Sequence, residues 1–264
     1  MLPSFRQASG SIRRLSFTTL AAGALLGASV VASPVAAAAQ GSTCSGTLGS
    51  GTYRSLTVTG FCQIPDHSRV VIKGGLTIAP DAALVGSSTV NGGCDRSVTV
   101  SGGVRVGDGA TLILGDSAEG TGCGGATTVI RGGLRGHGAG TVVIHGATIQ
   151  GGMTTSGGGL PICNEQTFVP CYFSALEDSH VNGGVSITGY TGFWLGLARN
   201  HVNGRVTLRD NVLADPDAME ILSNTIHGTL ACSGNSPVPT NLADGHPVPP
   251  NSVTGRETGQ CAGL

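Results

Sequence analysis

Residues 179–187 read SHVNGGVSI and residues 200–208 read NHVNGRVTL, nearly the same nine letters offset by 21 positions. Both carry a β-branched residue, a variable residue, a glycine and then apolar residues at alternate places. ATIQGGMTT (147–155) and NTIHGTLAC (224–232) share that skeleton. Looser copies begin at Val71 (VIKGGLTI), Thr99 (TVSGGVRV) and Val129 (VIRGGLRG). With the β-branched residue as marker, the series is Ile72, Val100, Ile130, Ile149, Val181, Val202 and Ile226, at intervals of 28, 30, 19, 32, 21 and 24. The three longest intervals hold cysteines and the others hold none, so a unit of about twenty residues is lengthened by cysteine-bearing loops. A repeat of this size describes a solenoid, in which each unit buries its apolar face only against its neighbours.

The repeat's elements are strands. VSI, VTL, VRV, LTI and TLIL alternate with period two, are bounded by Gly, Asn and Asp, and show no helical stripe. The last two units align throughout: Val185-x-Ile187 with Val206-x-Leu208, Leu195-x-Leu197 with Met219-x-Ile221, and Asn200-His201-Val202 with Asn224-Thr225-Ile226. Three short strands per turn define an all-β fold, a parallel β-helix. One corner then stacks Asn182, Asn203 and His227 above Gln150, while Gly151, Gly183, Gly204 and Gly228 supply special turn geometry.

Composition sets the compartment and excludes several functions. Arg6, Arg13 and Arg14 precede an apolar run from Leu20 to Val31 and a small-residue site at Ala37 and Ala39, the layout of an export leader over residues 1–39. Arg13-Arg14 hints at twin-arginine export, although the following LSF fits that motif poorly. Residues 40–264 form one domain, with an N-terminal cap at 40–65 and a cysteine-containing C-terminal cap at 232–264. All eight cysteines follow the leader, and an even number in an exported chain implies disulfides. Neighbour pairing gives Cys44–Cys62, Cys94–Cys123, Cys163–Cys171 and Cys232–Cys261. Without the leader's three arginines, 11 basic residues face 15 acids, so no nucleic acid or anionic membrane partner is expected on overall charge. No membrane span follows the leader. Glycine, at 45 of 264 residues, far exceeds the usual share of about 7 per cent, as many turns between short strands require.

The coil pattern resembles right-handed parallel β-helix proteins of the pectate-lyase-like superfamily. GGVRVGDGATLIL (102–114) is also similar to polymer-forming bactofilin-type repeats. From SGTYRSLTVTG to the terminal TGQC, the layout resembles exported actinobacterial proteins, a likeness that carries no activity. The first likeness implies candidate catalytic residues: lyases on this fold use acids for calcium and an Arg or Lys as base. Asp215, Asp217 and Glu220, beside Asp210, could surround a calcium ion, with Arg205 or Arg209 as base or substrate clamp. The alternative for this stretch is a solvated turn fixed by Pro216. Paired carboxylates for glycoside hydrolysis need matched coil positions, and Glu177 and Asp178 find no acid at theirs. His180 and His201 do match, and could hold a metal or serve as acid and base, or simply flank the turn. Tyr190, Phe193 and Trp194 offer either a sugar-stacking shelf or an aromatic satellite core with Phe168, Tyr172 and Phe173. With one lysine beyond the leader and no convergent acid–base set, the favoured function is a secreted or cell-surface, non-catalytic structural or binding module. Its partner would be a cell-wall or extracellular polysaccharide, and no cofactor is required beyond the calcium considered above. A carbohydrate-active enzyme and a self-assembling surface protein are the alternatives.

Overall fold

In the computed structural model, residues 41–87, 95–116, 127–159, 173–243 and 245–264 are described, all within one compact unit, Ala39–Leu264. The segment 1–39 read as a leader, together with Cys94, Cys123, Cys163, Cys171, Phe168 and Tyr172, lies outside these residues, and so do the two expected central disulfide pairings. Among the described residues there is no helix. Parallel strands form a 16-stranded and a 9-stranded sheet, and Leu242–Ala243 pairs antiparallel with His246–Pro247.

The chain visits three strand ladders in rotation. Arg69–Ile72 enters the first, Leu76–Ile78 the second and Ala83–Gly86 the third, before Ser97–Val100 returns to the first beside Arg69–Ile72. The second and third ladders are two arms of the larger sheet, joined at Leu56–Gln63, whose start pairs with Leu76–Ile78 and whose end pairs with Ala83–Gly86. Every marker residue lies in register in the first ladder: Ile72 opposite Val100, then Ile130, Ile149, Val181, Val202 and Ile226. The ladders also run into both segments read as caps. Gly51–Tyr53 already pairs with Arg69–Ile72, and Ser252–Val253 extends the ladder past Thr225–Ile226. The second of these was visible in the sequence, because Val253-Thr254-Gly255 repeats the marker pattern.

Alternation decides what is inside. Leu76, Ile78, Val104, Val106, Val185, Ile187, Val206 and Leu208 all point into one continuous core with the marker residues. Strands of the third ladder are buried on both faces, and outward Val85, Ile113, Val143 and Ala175 form a second apolar cluster against Phe173 and Trp194. A side chain of Leu or Val size contributes about 1.5–3 kcal/mol on full burial, so the stacked apolar columns dominate stability.

The repeated glycine serves close approach rather than unusual dihedrals. Gly151, Gly183, Gly204 and Gly228 are absent from the residues with positive φ. A Cβ at Gly132 would instead lie 2.7 Å from the Gly102 carbonyl group, while the Gly132 amide donates to that same carbonyl at 3.0 Å. Backbone meets backbone at this corner, and no side chain fits between.

Two buried asparagine ladders seal the other corners. Asn200 donates from its backbone amide and from Nδ2 to Asn224 Oδ1, at 3.0 and 2.9 Å, and Asn224 repeats both bonds to Asn251 Oδ1 at 2.9 Å. Asn211, Asn235 and Gln260 form the second series. The residues before Asn200, Asn224 and Asn211, namely Arg199, Ser223 and Asp210, take a left-handed φ of 52–55° that turns the chain. Such bonds satisfy backbone groups that a dry corner would otherwise leave unpaired.

Two disulfides fasten the ends. Cys44 of Ser42–Thr47 bonds to Cys62 of the adjoining Leu56–Gln63, and Cys261, just past Glu257–Gly259, bonds to Cys232 of the adjoining Leu230–Ser233. No described cysteine is free.

Asn224→Ala removes the acceptor for two Asn200 donors and the donor to Leu197 and Asn251. Because each orphaned buried group costs 1–3 kcal/mol, the variant should lose about 3 kcal/mol in denaturant unfolding, and a loss below about 1 kcal/mol would show the ladder to be incidental. Thiol labelling of the unreduced, denatured mature protein should find no free cysteine, and peptide mapping should recover Cys44–Cys62 and Cys232–Cys261 as separate linked pairs.

Candidate functional site

The residues singled out for calcium-assisted chemistry scatter into local contacts. Arg209, at the end of Val206–Arg209, donates from Nε to Asp210 Oδ2 at 3.0 Å, an exposed pair between sequence neighbours. Asp215 accepts the Asp217 backbone amide on Oδ1 at 3.3 Å. A hydrogen bond between the two carboxyl groups, followed by partial desolvation, holds Asp215 above the ordinary carboxylate range. That geometry is an Asx turn leading into Met219–Leu222. Glu220 lies on that strand, opposite Gly196 and bridged to Thr240. Arg205 is exposed at the corner before Val206–Arg209. Among the described residues, no three His, Cys, Asp or Glu side chains converge at metal-binding separations.

The aromatic residues separate as well. Tyr190 is in the core, with its hydroxyl donating to the Gly140 carbonyl at 3.2 Å and its amide to Asn211 Oδ1 at 3.0 Å. It therefore presents no ring to solvent. Trp194 is half-buried over Val85, Ile113, Val143 and Ala175 beside Phe173, and Phe193 is half-buried at the preceding turn. His180 and His201 stack, with centroids 4.3 Å apart and planes at 13°, and His227 meets His201 edge-on at 4.8 Å. In the proposed corner column, Asn203 Nδ2 donates to Asn182 Oδ1 at 3.0 Å. Gln150 occupies the same corner position one rung away, after Ile149.

Two features escaped sequence reasoning. The first is an ionic corner where the third ladder turns towards the first. Arg199 grips Asp178 with both prongs, Nε to Oδ1 at 2.6 Å and Nη2 to Oδ2 at 3.0 Å, and Nη2 also reaches Glu177 Oε2 at 3.2 Å. One rung earlier, His145 is buried with its Nε2 3.8 Å from Glu177 Oε2, and neither ring nitrogen makes a hydrogen bond. Nearby, buried Arg96 pairs with buried Asp116 at 3.5 Å and donates from Nε to the Ile64 carbonyl. A signal for this corner existed, because Asp178 and Arg199 stand 21 residues apart, the same interval as His180 and His201. A carboxylate clamped by a guanidinium is held ionised in structure and is poorly placed to donate a proton.

The second is an open groove of about 500 Å³ on the outer face of the second ladder. Arg105 and Arg135 lie opposite each other on adjacent rungs, flanked by Thr77 on one side and Thr154 on the other. Ser186 and Thr207 continue that column. His137 and Ser156 line the same groove, His137 Nδ1 being 3.2 Å from Ser156 Oγ. Strand alternation makes this column: the neighbours of each polar residue fill the core, so the residue itself must face out. The groove is lined by the two arginines, hydroxyl-bearing residues, His137, glycine backbone and the apolar Ile78, Ala79, Pro80 and Val106, with no carboxylate among the described lining residues.

Compared with known proteins, the chain matches no family model, no curated protein and no solved structure.

His145 yields a pH prediction. Burial is the main force depressing its affinity for a proton, opposed by Glu177, Asp178 and Asp116 and reinforced by Arg199. A folded-state pKa below the unfolded value means the unfolded chain binds more protons. Stability is therefore complete above the ordinary imidazole value and declines as pH falls through it towards the lowered one. Between about pH 7.5 and 5 the melting temperature should fall more steeply for the native protein than for His145→Gln, and parallel curves would refute the assignment.

Proposed function

We propose that residues 1–39 are an export leader and that the remaining chain is a single right-handed parallel β-helix. Its architecture is similar to the pectate-lyase-like superfamily, and it works as a secreted or cell-surface, non-catalytic binding module for extracellular polysaccharide. The observation that carries this reading is the outward column Thr77, Arg105, Arg135, Thr154, Ser186 and Thr207 on the second ladder, which runs beside a groove with apolar patches and no carboxylate among its described lining residues. A flat, hydroxyl-bearing ladder offers an extended polymer one contact per rung, about 4.8 Å apart, while cleavage needs a positioned acid or base at one point. Among the described residues, three acids of the candidate regions are engaged elsewhere, Asp178 with Arg199, Asp210 with Arg209, and Asp215 with Asp217. Two disulfides and the lack of any described helix long and apolar enough to cross a membrane are compatible with an extracellular protein.

The test is to incubate the mature protein with a panel of cell-wall and plant polysaccharides, scoring retention and new chain ends together. Retention without cleavage is expected, and calcium should leave the melting temperature of both native protein and Asp217→Ala unchanged. Cleavage products, or a calcium-dependent stability gain lost in Asp217→Ala, would replace the binding module with an enzyme.

A further inference from the structure

The groove is built against its own electrostatics. Arg105 and Arg135 sit directly opposite each other on neighbouring strands, about 4.8 Å apart along the ladder, where like charges repel and cost stability. Both are exposed, and neither forms an ion pair with a described residue. Asp81 and Asp108, the acids next along the chain, lie beyond the strand ends at the turn towards the third ladder. The chain is net acidic, yet four of its described cations that form no ion pair stand close together here. Lys73 and Arg131 occupy the corner just before these strands, one residue after the markers Ile72 and Ile130.

The surroundings of the arginine pair add shape to the charge. On the corner side, a depression of about 170 Å³ is lined by Gly103, Gly132, Gly133 and both arginines, so that bare backbone lets a ligand come close. Beyond the arginines lie the hydroxyls of Thr77, Thr154 and Ser156, with His137 beside Ser156. Two guanidinium groups from adjacent rungs emerge on the same face, and the hydroxyls of Thr77, Thr154 and Ser156 stand around them. A carboxylate offers two oxygens in one plane, while a phosphate or sulfate ester offers three terminal oxygens in a tetrahedral array, which can accept from both guanidinium groups and from a hydroxyl at once.

From this arrangement we infer that Arg105 and Arg135 form a subsite for a phosphate or sulfate ester carried on a glycan, which refines the polysaccharide reading above and rests on it. The neighbouring Thr154, Ser186 and Thr207 then continue along the polymer as neutral hydroxyl contacts.

The experiment uses the mature, oxidised protein and measures affinity at physiological salt for dextran sulfate, a phosphorylated dextran, polygalacturonate, neutral dextran and a single-stranded DNA oligonucleotide. Arg105→Gln and Arg135→Gln are compared with Arg205→Gln, an exposed arginine outside the groove, with circular dichroism confirming that each folds. Binding of one ester-bearing dextran or both is expected, with at least a tenfold loss in Arg105→Gln and Arg135→Gln and none in Arg205→Gln. The stronger of the two dextrans identifies the ester. Equal losses in all three variants, or polygalacturonate binding as tightly as the esters, would reduce the site to diffuse charge and overturn it. Equal retention of neutral dextran would overturn the oxyanion subsite while leaving the binding module intact. Cleavage of any polymer would instead remove the binding-module reading. Arginine-dependent DNA binding of equal strength would reassign the groove to nucleic acid and overturn the glycan.

Discussion

Parallel in-register pairing from rung to rung is the constraint on which everything else in this protein depends. Once Ile72 faces Val100 and Val100 faces Ile130, each position of a unit must tolerate a copy of itself directly above and below. Apolar positions become columns that fill the interior. Corner positions have no such freedom, because two backbones meet there at hydrogen-bond distance. Glycine at Gly102 and Gly132 and asparagine at Asn200 and Asn224 are two solutions to that crowding. The first removes the side chain, and the second makes it part of the ladder.

The same constraint explains what the surface can do. A column repeats chemistry at fixed spacing without effort, so hydroxyl-bearing faces arise easily and suit extended ligands. Converging groups from different directions is harder, since neighbours in a column point the same way. Where charge does converge, as at Glu177, Asp178 and Arg199, it closes on itself across one rung. Arg105 and Arg135 are the exception in the other direction, a column of one sign left open to solvent.

Much of the architecture was legible because pairing writes itself into the sequence as spacing. All seven marker residues, and the matches of Val185 with Val206 and Leu195 with Met219, lie in register. The roles of individual residues were less legible. The repeated glycine reads as a site of unusual dihedrals, but left-handed backbone lies elsewhere, among other places at Arg199, Asp210 and Ser223, each directly before a ladder asparagine. Asn182 and Asn203 were visible as a stack and Asn200 aligned with Asn224, whereas the burial of that series and its continuation to Asn251 depend on the register of the last strand of the ladder. The groove escaped although Arg105 and Arg135 each stand five residues after a marker, Val100 and Ile130, because matched letters place two residues on one face without showing that the face is an open groove.

The two terminal disulfides have a consequence for association. An open ladder presents unpaired amides and carbonyls at each end, a template on which another chain can grow. Here the outermost strand at each end is covalently tied to the strand beneath it, Cys44 to Cys62 and Cys261 to Cys232. Ser42–Thr47 also carries a register shift at Gly46, which spoils the regular edge. In an oxidising medium these two end segments cannot leave their places to be exchanged for a neighbour's, whereas reduction would leave pairing alone to hold them there.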